Sequence, residues 1–172
     1  MEEKEMNQEF VFVYGSLLNK QEAGEVFSEE SLNGVIPAVL RGYKRVYNKW
    51  STRRKGYVLN IEKSRVHSVL GLLIGPLSKD ELENIGKREL WGKHYECVSV
   101  TVQTLLNDKK EVRALTSIAE KRFLIEGKKI SLEYERIVRK GIEDLSIKFQ
   151  MPEFIENYMH DTFDFEGQKI VS

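Results

Sequence analysis

The sequence predicts a mixed α+β protein, a small β-sheet curled toward a barrel with helices flanking it. Three observations carry this reading. Six runs rich in β-branched and aromatic residues read as strands. One helical period falls between the fourth and fifth of them, and the rest of the helix lies near the C-terminal end. The regular βαβα alternation of a doubly wound parallel sheet is missing, which leaves a mixed or antiparallel sheet as the better fit.

A chain of 172 residues suits one compact domain with a sizeable core, expected here over residues 10–160. Apolar residues make up 41% and charged residues 31%, too apolar a mixture for general disorder. Lys plus Arg equals Asp plus Glu at 27 each, so the formal charge is zero. That balance gives no electrostatic reason to expect nucleic acid or an anionic membrane as partner. No stretch is long and apolar enough to span a bilayer. The acidic MEEKEMNQE start lacks the features of a signal peptide. Cys97 is the single cysteine, which removes an internal disulfide and fits a reducing, cytoplasmic compartment. His67, His94 and His160 show no metal-ligand spacing, and no metal is expected.

Phe10–Val13 is aromatic or β-branched without alternation, the mark of a strand buried on both faces. It stops at Tyr14-Gly15-Ser16. A glycine at a strand's end permits close backbone approach, and turns of this type can hold a small anion in a nest of amides. Residues 19–31 are polar with a few apolar points, a short helix or an irregular loop. Leu32–Tyr47 holds two apolar stretches, and Pro37 argues against a central strand position there. Leu40–Tyr47 is a strand or a bend at Gly42. WSTRRK, residues 50–55, reads mainly as a solvated loop, with one arginine near an acidic ligand as the second reading.

Gly56–Ile61 and Val66–Ile74 form a pair of strands with polar EKSR as their connection. Ser78 with Glu81 makes a capping-box pattern, and Leu77, Leu82 and Ile85 stripe one side of the helix it opens. In His94–Leu106, Val98, Val100 and Val102 alternate with Cys97, Ser99 and Thr101. NDKK turns that strand back into Glu111–Ile118 as a hairpin. Ser131 caps a second helix, lined by Leu132, Ile137, Val138, Ile142 and Leu145. Pro152 opens a third, in which Phe154, Ile155, Tyr158 and Met159 pack on the body. The last dozen residues carry no clear period.

A catalytic group is best sought where an ionisable side chain stands at an element end beside apolar residues, and Glu89 is such a residue. It follows the helix stripe, lies beside Leu90 and Trp91, and precedes a turn at Gly92. Desolvation beside bulky apolar groups raises a carboxyl's pKa and makes it a better proton acceptor near neutrality. A surface glutamate paired with Arg88 or Lys93 is the alternative at this position.

Taken together, VYGSLL, GLLIGPLSKDELENI, KRELWGKHYECVSVTV and SLEYERIVRKGI resemble the gamma-glutamylcyclotransferases and their AIG2-like and ChaC-like relatives, over about Phe10 to Leu145. The resemblance implies a mixed fold on a small β-barrel. It implies that Tyr14, Gly15, Ser16 and Leu17 hold the glutamyl moiety of a small γ-glutamyl substrate, with Tyr95 nearby, and that Glu89 is the catalytic carboxylate. Relatives release 5-oxoproline from γ-glutamyl peptides or amines without a cofactor. RALTSIAEKRF lacks a tyrosine that several relatives carry, with Leu115 at the nearest match, so Thr116 or Tyr95 is a substitute hydroxyl or the specificity is altered. Leu18 and Asn19 stand where the ChaC-like branch has a tryptophan soon after the turn. That points away from glutathione and toward the AIG2-like branch. A binding domain that keeps the fold without catalysis is the rival reading.

Overall fold

The computed structural model describes residues 8–170. Its strands are β1 (Val11–Val13), β2 (Ile36–Ser51), β3 (Gly56–Ile74), β4 (Tyr95–Thr104), β5 (Glu111–Ala119) and β6 (Thr162–Phe163). The sheet runs β3-β1-β5-β4-β2, and β2 pairs back onto β3, which closes a five-stranded barrel. Only β1 and β5 are parallel neighbours within it, through Val11 opposite Leu115. Short β6 adds to β2 in parallel. The barrel with flanking helices is the α+β architecture expected from the sequence.

β1 is buried along its whole length because it lies between β3 and β5. β4 keeps the expected alternation, with Val100 and Val102 inside and Cys97, Ser99 and Thr101 exposed. Two expectations need correction. Pro37 stands inside β2, opposite Leu72, where its missing N–H falls at the strand's second residue and its carbonyl accepts from Leu105 N at 3.0 Å. EKSR is no turn. The two expected strands are halves of β3, both antiparallel to the same neighbour β2. Between Arg41/Ser68 and Tyr43/Lys63 the register jumps, so Ser64–His67 bulge out opposite Gly42 while the direction of the chain is kept.

The helices are α1 (Lys20–Ala23), α2 (Glu29–Asn33), α3 (Lys79–Arg88), α4 (Leu132–Lys148) and α5 (Glu153–His160). Asn19 and Ser28 cap the first two, which resolves the segment after the first strand into two short helices. The capping box of Ser78 and Glu81 opens α3. Glu81 also accepts from Ser28 N at 3.1 Å and so ties α3 to α2. Val138, Ile142 and Leu145 of α4 join the core, but Leu132 at its start is exposed, since its side faces away from the barrel. In α5, Phe154 and Tyr158 are buried while Ile155 and Met159 stay largely open. None of these helices is long and apolar enough to cross a membrane.

α4 presses closely on the turn after β1. A Cβ at Gly141 would lie 2.6 Å from Asn19 N and 2.7 Å from the Leu18 carbonyl carbon. Asn19 Nδ2 donates to Ile137 O at 3.0 Å in the same contact. The absent side chain thus sets how near the helix comes to the turn.

Candidate active site

Tyr14 continues β1 to the barrel's end. Its phenol donates to Ser117 O at 2.6 Å, and its carbonyl accepts from Arg45 Nε at 2.9 Å. The chain then tightens into a 3-10 turn, Ser16–Leu18, closed by Leu18 N donating to Gly15 O at 3.0 Å. The first amides of a helical turn have no acceptor within it, which makes Gly15–Leu17 suited to an anionic group. Tyr134 of α4 closes over this turn. A Cβ at Gly15 would meet its phenol oxygen at 2.6 Å. Burial and Glu89 push the Tyr134 pKa up, while the Ser16 and Leu59 backbone and the Ser16 hydroxyl pull it down.

Glu89 is the residue on which α3 ends, its N–H held by Ile85 O at 2.8 Å. Its carboxyl stands beside Tyr14, Tyr95 and Tyr134, all buried. Desolvation pushes its pKa up to about 7, against the opposing pulls of Arg88 and Lys49. A carboxylate so placed can take up and give back a proton near neutral pH.

Lys49 follows a second register shift in β2, between Tyr47 and Lys49. The irregularity leaves Val46 to Lys49 buried in succession. Lys49 Nζ lies 3.0 Å from His94 Nδ1 and 5.2 Å from the ring centroids of both Tyr95 and Phe123. Burial draws its pKa down to about 8, and Glu89 pulls the other way. His94 stacks on Phe123 at 3.9 Å, and Tyr95 donates its phenol to Leu59 O at 3.1 Å.

These groups line one cavity of about 310 Å³, within the usual range for a small-molecule site. Tyr14, Gly15, Ser16, Leu17, Glu89 and Tyr95 all border it, although more than seventy residues separate the turn from Glu89 in the sequence. Of the two substitute hydroxyls, Thr116 is turned away: it is fully buried and donates to Phe12 O at 2.9 Å. The β5 residue at the cavity is Ser117, whose hydroxyl accepts from Trp91 Nε1 at 2.8 Å. Leu115 does not border it.

Lys49, Tyr134 and Arg54 border the cavity without having been singled out individually from sequence, and Arg88, named there only as a surface partner for Glu89, borders it too. Arg54 belongs to the WSTRRK run read mainly as solvated. Its guanidinium is largely buried and pairs with Glu22 at 3.2 Å and Glu133 at 3.6 Å. Glu22 also pairs with Arg88, which reaches Glu25 at 3.0 Å. Held by the two arginines, Glu22 stays below its usual carboxylate range despite its burial. Among the described residues, no three His, Cys, Asp or Glu side chains come together as a metal site.

The closed five-stranded barrel and its single-carboxylate cavity define a small α+β protein with one pocket of small-molecule size beside Glu89. The chain belongs to the family described as gamma-glutamyl cyclotransferase, AIG2-like, whose family model matches residues 11–136. Among solved structures, a gamma-glutamyl cyclotransferase is similar at 18% identity, TM-score 0.67, over 86% of each chain. A human protein described as uncharacterized reaches 19% identity and TM-score 0.65, over 86% of this chain and 85% of that one. A yeast gamma-glutamyl cyclotransferase described as specific to glutathione follows at 13% identity and TM-score 0.62, over 88% of this chain and 97% of that one. At such identities the likeness is one of fold. No curated protein matches the chain.

Proposed function

We propose that this protein releases 5-oxoproline from a γ-glutamyl peptide or amine. The substrate's own α-amino nitrogen attacks its γ-carbonyl carbon, a five-membered lactam forms, and the γ-amide C–N bond breaks. The α-ammonium loses two protons in becoming the lactam N–H, and the departing nitrogen gains two in leaving as an ammonium, so atoms and charge balance within the substrate. Nucleophile and carbonyl already share one molecule, which supplies proximity without an enzyme nucleophile. Glu89 frees the nucleophile by taking one proton from the α-ammonium and passing it toward the leaving nitrogen, and the same carboxyl moves the second proton after attack, base and then acid each time. The Gly15–Leu17 amides hold the charged end of the glutamyl moiety and favour charge developing on the γ-carbonyl oxygen.

The observation that carries this reading is Glu89 itself, a carboxyl with a pKa of about 7 in the cavity that the Tyr14–Leu17 turn borders. The free, exposed Cys97 is in keeping with a cytoplasmic setting. The test is a panel of γ-glutamyl peptides and amines incubated with the protein, with mass detection of 5-oxoproline. Release from at least one member is expected. Ligand binding without release across the panel favours the non-catalytic binding domain.

A further inference from the structure

A separate cleft of about 310 Å³ opens between β3 and the helices, and Glu89 does not border it. β3 supplies Leu72 and Ile74, the Ser16–Leu18 turn supplies Leu17 and Leu18, and α4 supplies Leu145. All five are buried, with no more than 7% of any of them exposed. α2 forms another side through Leu32. That helix has five residues and buries none of them fully. Its N-cap is tied to α3 through Glu81, and its other end runs into β2. Leu32 therefore stays half-buried against the cleft. Protein interiors hold few voids larger than a water molecule, and apolar walls around one forfeit dispersion contacts that an apolar occupant restores.

The mouth of the cleft is charged. Lys20, Asn33, Asp144 and Lys148 border it and are exposed. Asp144 stands four residues after Lys140 and four before Lys148, and it pairs with Lys140 at 2.9 Å. Lys148 makes no ion pair among the described residues, and its ammonium lies 5.2 Å from the Phe149 ring centroid. Lys20 makes none either. Two unpaired ammonium groups thus flank the open end of an apolar cleft, each on a long flexible stem.

We propose that this cleft binds an amphiphilic monocarboxylate, an unbranched alkanoate. Its chain lies against Leu18, Leu72 and Leu145, and its head meets Lys20 and Lys148. An alkylammonium of the same length would set like charge against both lysines, and an alcohol would forgo the attraction. Leu17 borders this cleft and the Glu89 cavity alike, so the two sites share one side chain.

The test is a methyl NMR titration of the full chain with butanoate, hexanoate and octanoate, each below its micelle-forming concentration. Octanol and octylammonium are the neutral and cationic controls. Shifts should fall on Leu18, Leu32, Leu72, Ile74 and Leu145, and affinity should rise by up to about fourfold for each added methylene. Octanoate should bind more tightly than octanol by roughly two- to fivefold, the scale of an exposed ion pair, and octylammonium should bind most weakly. Lys20→Glu combined with Lys148→Glu, both at exposed positions, should place octylammonium ahead of octanoate. Shifts confined to the residues around Glu89, flat affinity along the series or an order of head groups unchanged in the charge-reversed variant overturns the site. So does concentration-dependent broadening of the same methyls without ligand, which would seat a second copy of the chain in the cleft.

Discussion

Arg45, with about 1% of its surface exposed, donates from Nε to the Tyr14 carbonyl at 2.9 Å. Nη1 donates to Asn157 Oδ1 at 2.7 Å, and Nη2 donates to Leu70 O. The acceptors are all neutral, so the guanidinium keeps its charge inside the protein without a carboxylate in contact. Burial lowers its pKa to about 10, which leaves it protonated at neutral pH. One side chain thus joins β2, β3, α5 and Tyr14, the residue that leads into the Ser16–Leu18 turn.

Arg45→Met keeps much of the length and loses the donors. Tyr14 O and Leu70 O then lack this partner, at about 1–3 kcal/mol for each buried acceptor left unsatisfied. Asn157 Oδ1 retains its bond from Leu70 N at 2.8 Å. Urea unfolding should show a loss of roughly 2–5 kcal/mol. A loss below about 0.5 kcal/mol would place this network among ordinary surface contacts.

Glu89→Gln preserves size and removes the base. Turnover should fall by roughly 10²–10⁴-fold, with less effect on binding. In the parent, kcat/KM should climb as pH rises through about 7, where Glu89 ionises. That acidic limb should vanish in the variant. Near-parental release of 5-oxoproline by Glu89→Gln would send the search to another group.

The same substitution should stabilise the fold, with a pH dependence of definite sign. Glu89 has a folded pKa of about 7 against the 4.5 of an unperturbed glutamate, so folding favours its protonated form. Below pH 4.5 the group is protonated in both the folded and the unfolded chain, and parent and variant should agree. Between these values the parent loses stability as ionisation of the buried carboxyl becomes costly. Above pH 7 the variant should lead by as much as roughly 3 kcal/mol. Urea midpoints at pH 4 and pH 8 measure the difference, and an equal gap at both would exclude Glu89 titration as its cause.

Gly15→Ala should impair ligand binding because its Cβ would meet the Tyr134 phenol oxygen at 2.6 Å. Either the turn or the helix must give way, at a cost of about 1–3 kcal/mol for overpacking. Adding Tyr134→Phe removes the obstructing oxygen and should recover part of the lost stability. A double-mutant cycle by thermal unfolding checks this. Strict additivity would mean that the two positions do not collide.

Local signals were the legible ones. The capping box at Ser78 and Glu81, the β4–β5 hairpin and the apolar run of β1 each depend on residues close in sequence. The unbroken course of β3 was hidden because Ser64–His67 has the polarity of a turn, and continued pairing with β2 is a tertiary fact. In the cavity, the turn and Glu89 stand at element ends, where sequence punctuation is strongest. Lys49 was invisible because the irregularity at Asn48 breaks the alternation by which an inward side chain is recognised. Arg54 looked solvated because its partner Glu22 lies 32 residues upstream. Thr116 and Ser117 differ by one strand position, and strand parity decided which of them met the cavity.

The parallel pairing of β1 with β5 has a consequence for the nascent chain. Of the barrel strands, the one that leads into the Ser16–Leu18 turn is made first, yet one of its two neighbours comes about a hundred residues later, as Tyr14 and Ser117 illustrate with a separation of 103. Such distant contacts form slowly because the loop between them must close before they contribute. A chain released after Ala119 has all five barrel strands but still lacks Tyr134, which covers Gly15, and Ile137, whose carbonyl holds Asn19. During synthesis the site therefore matures only after the five barrel strands are complete, and a ribosome stalled before α4 carries a barrel with an unfinished pocket.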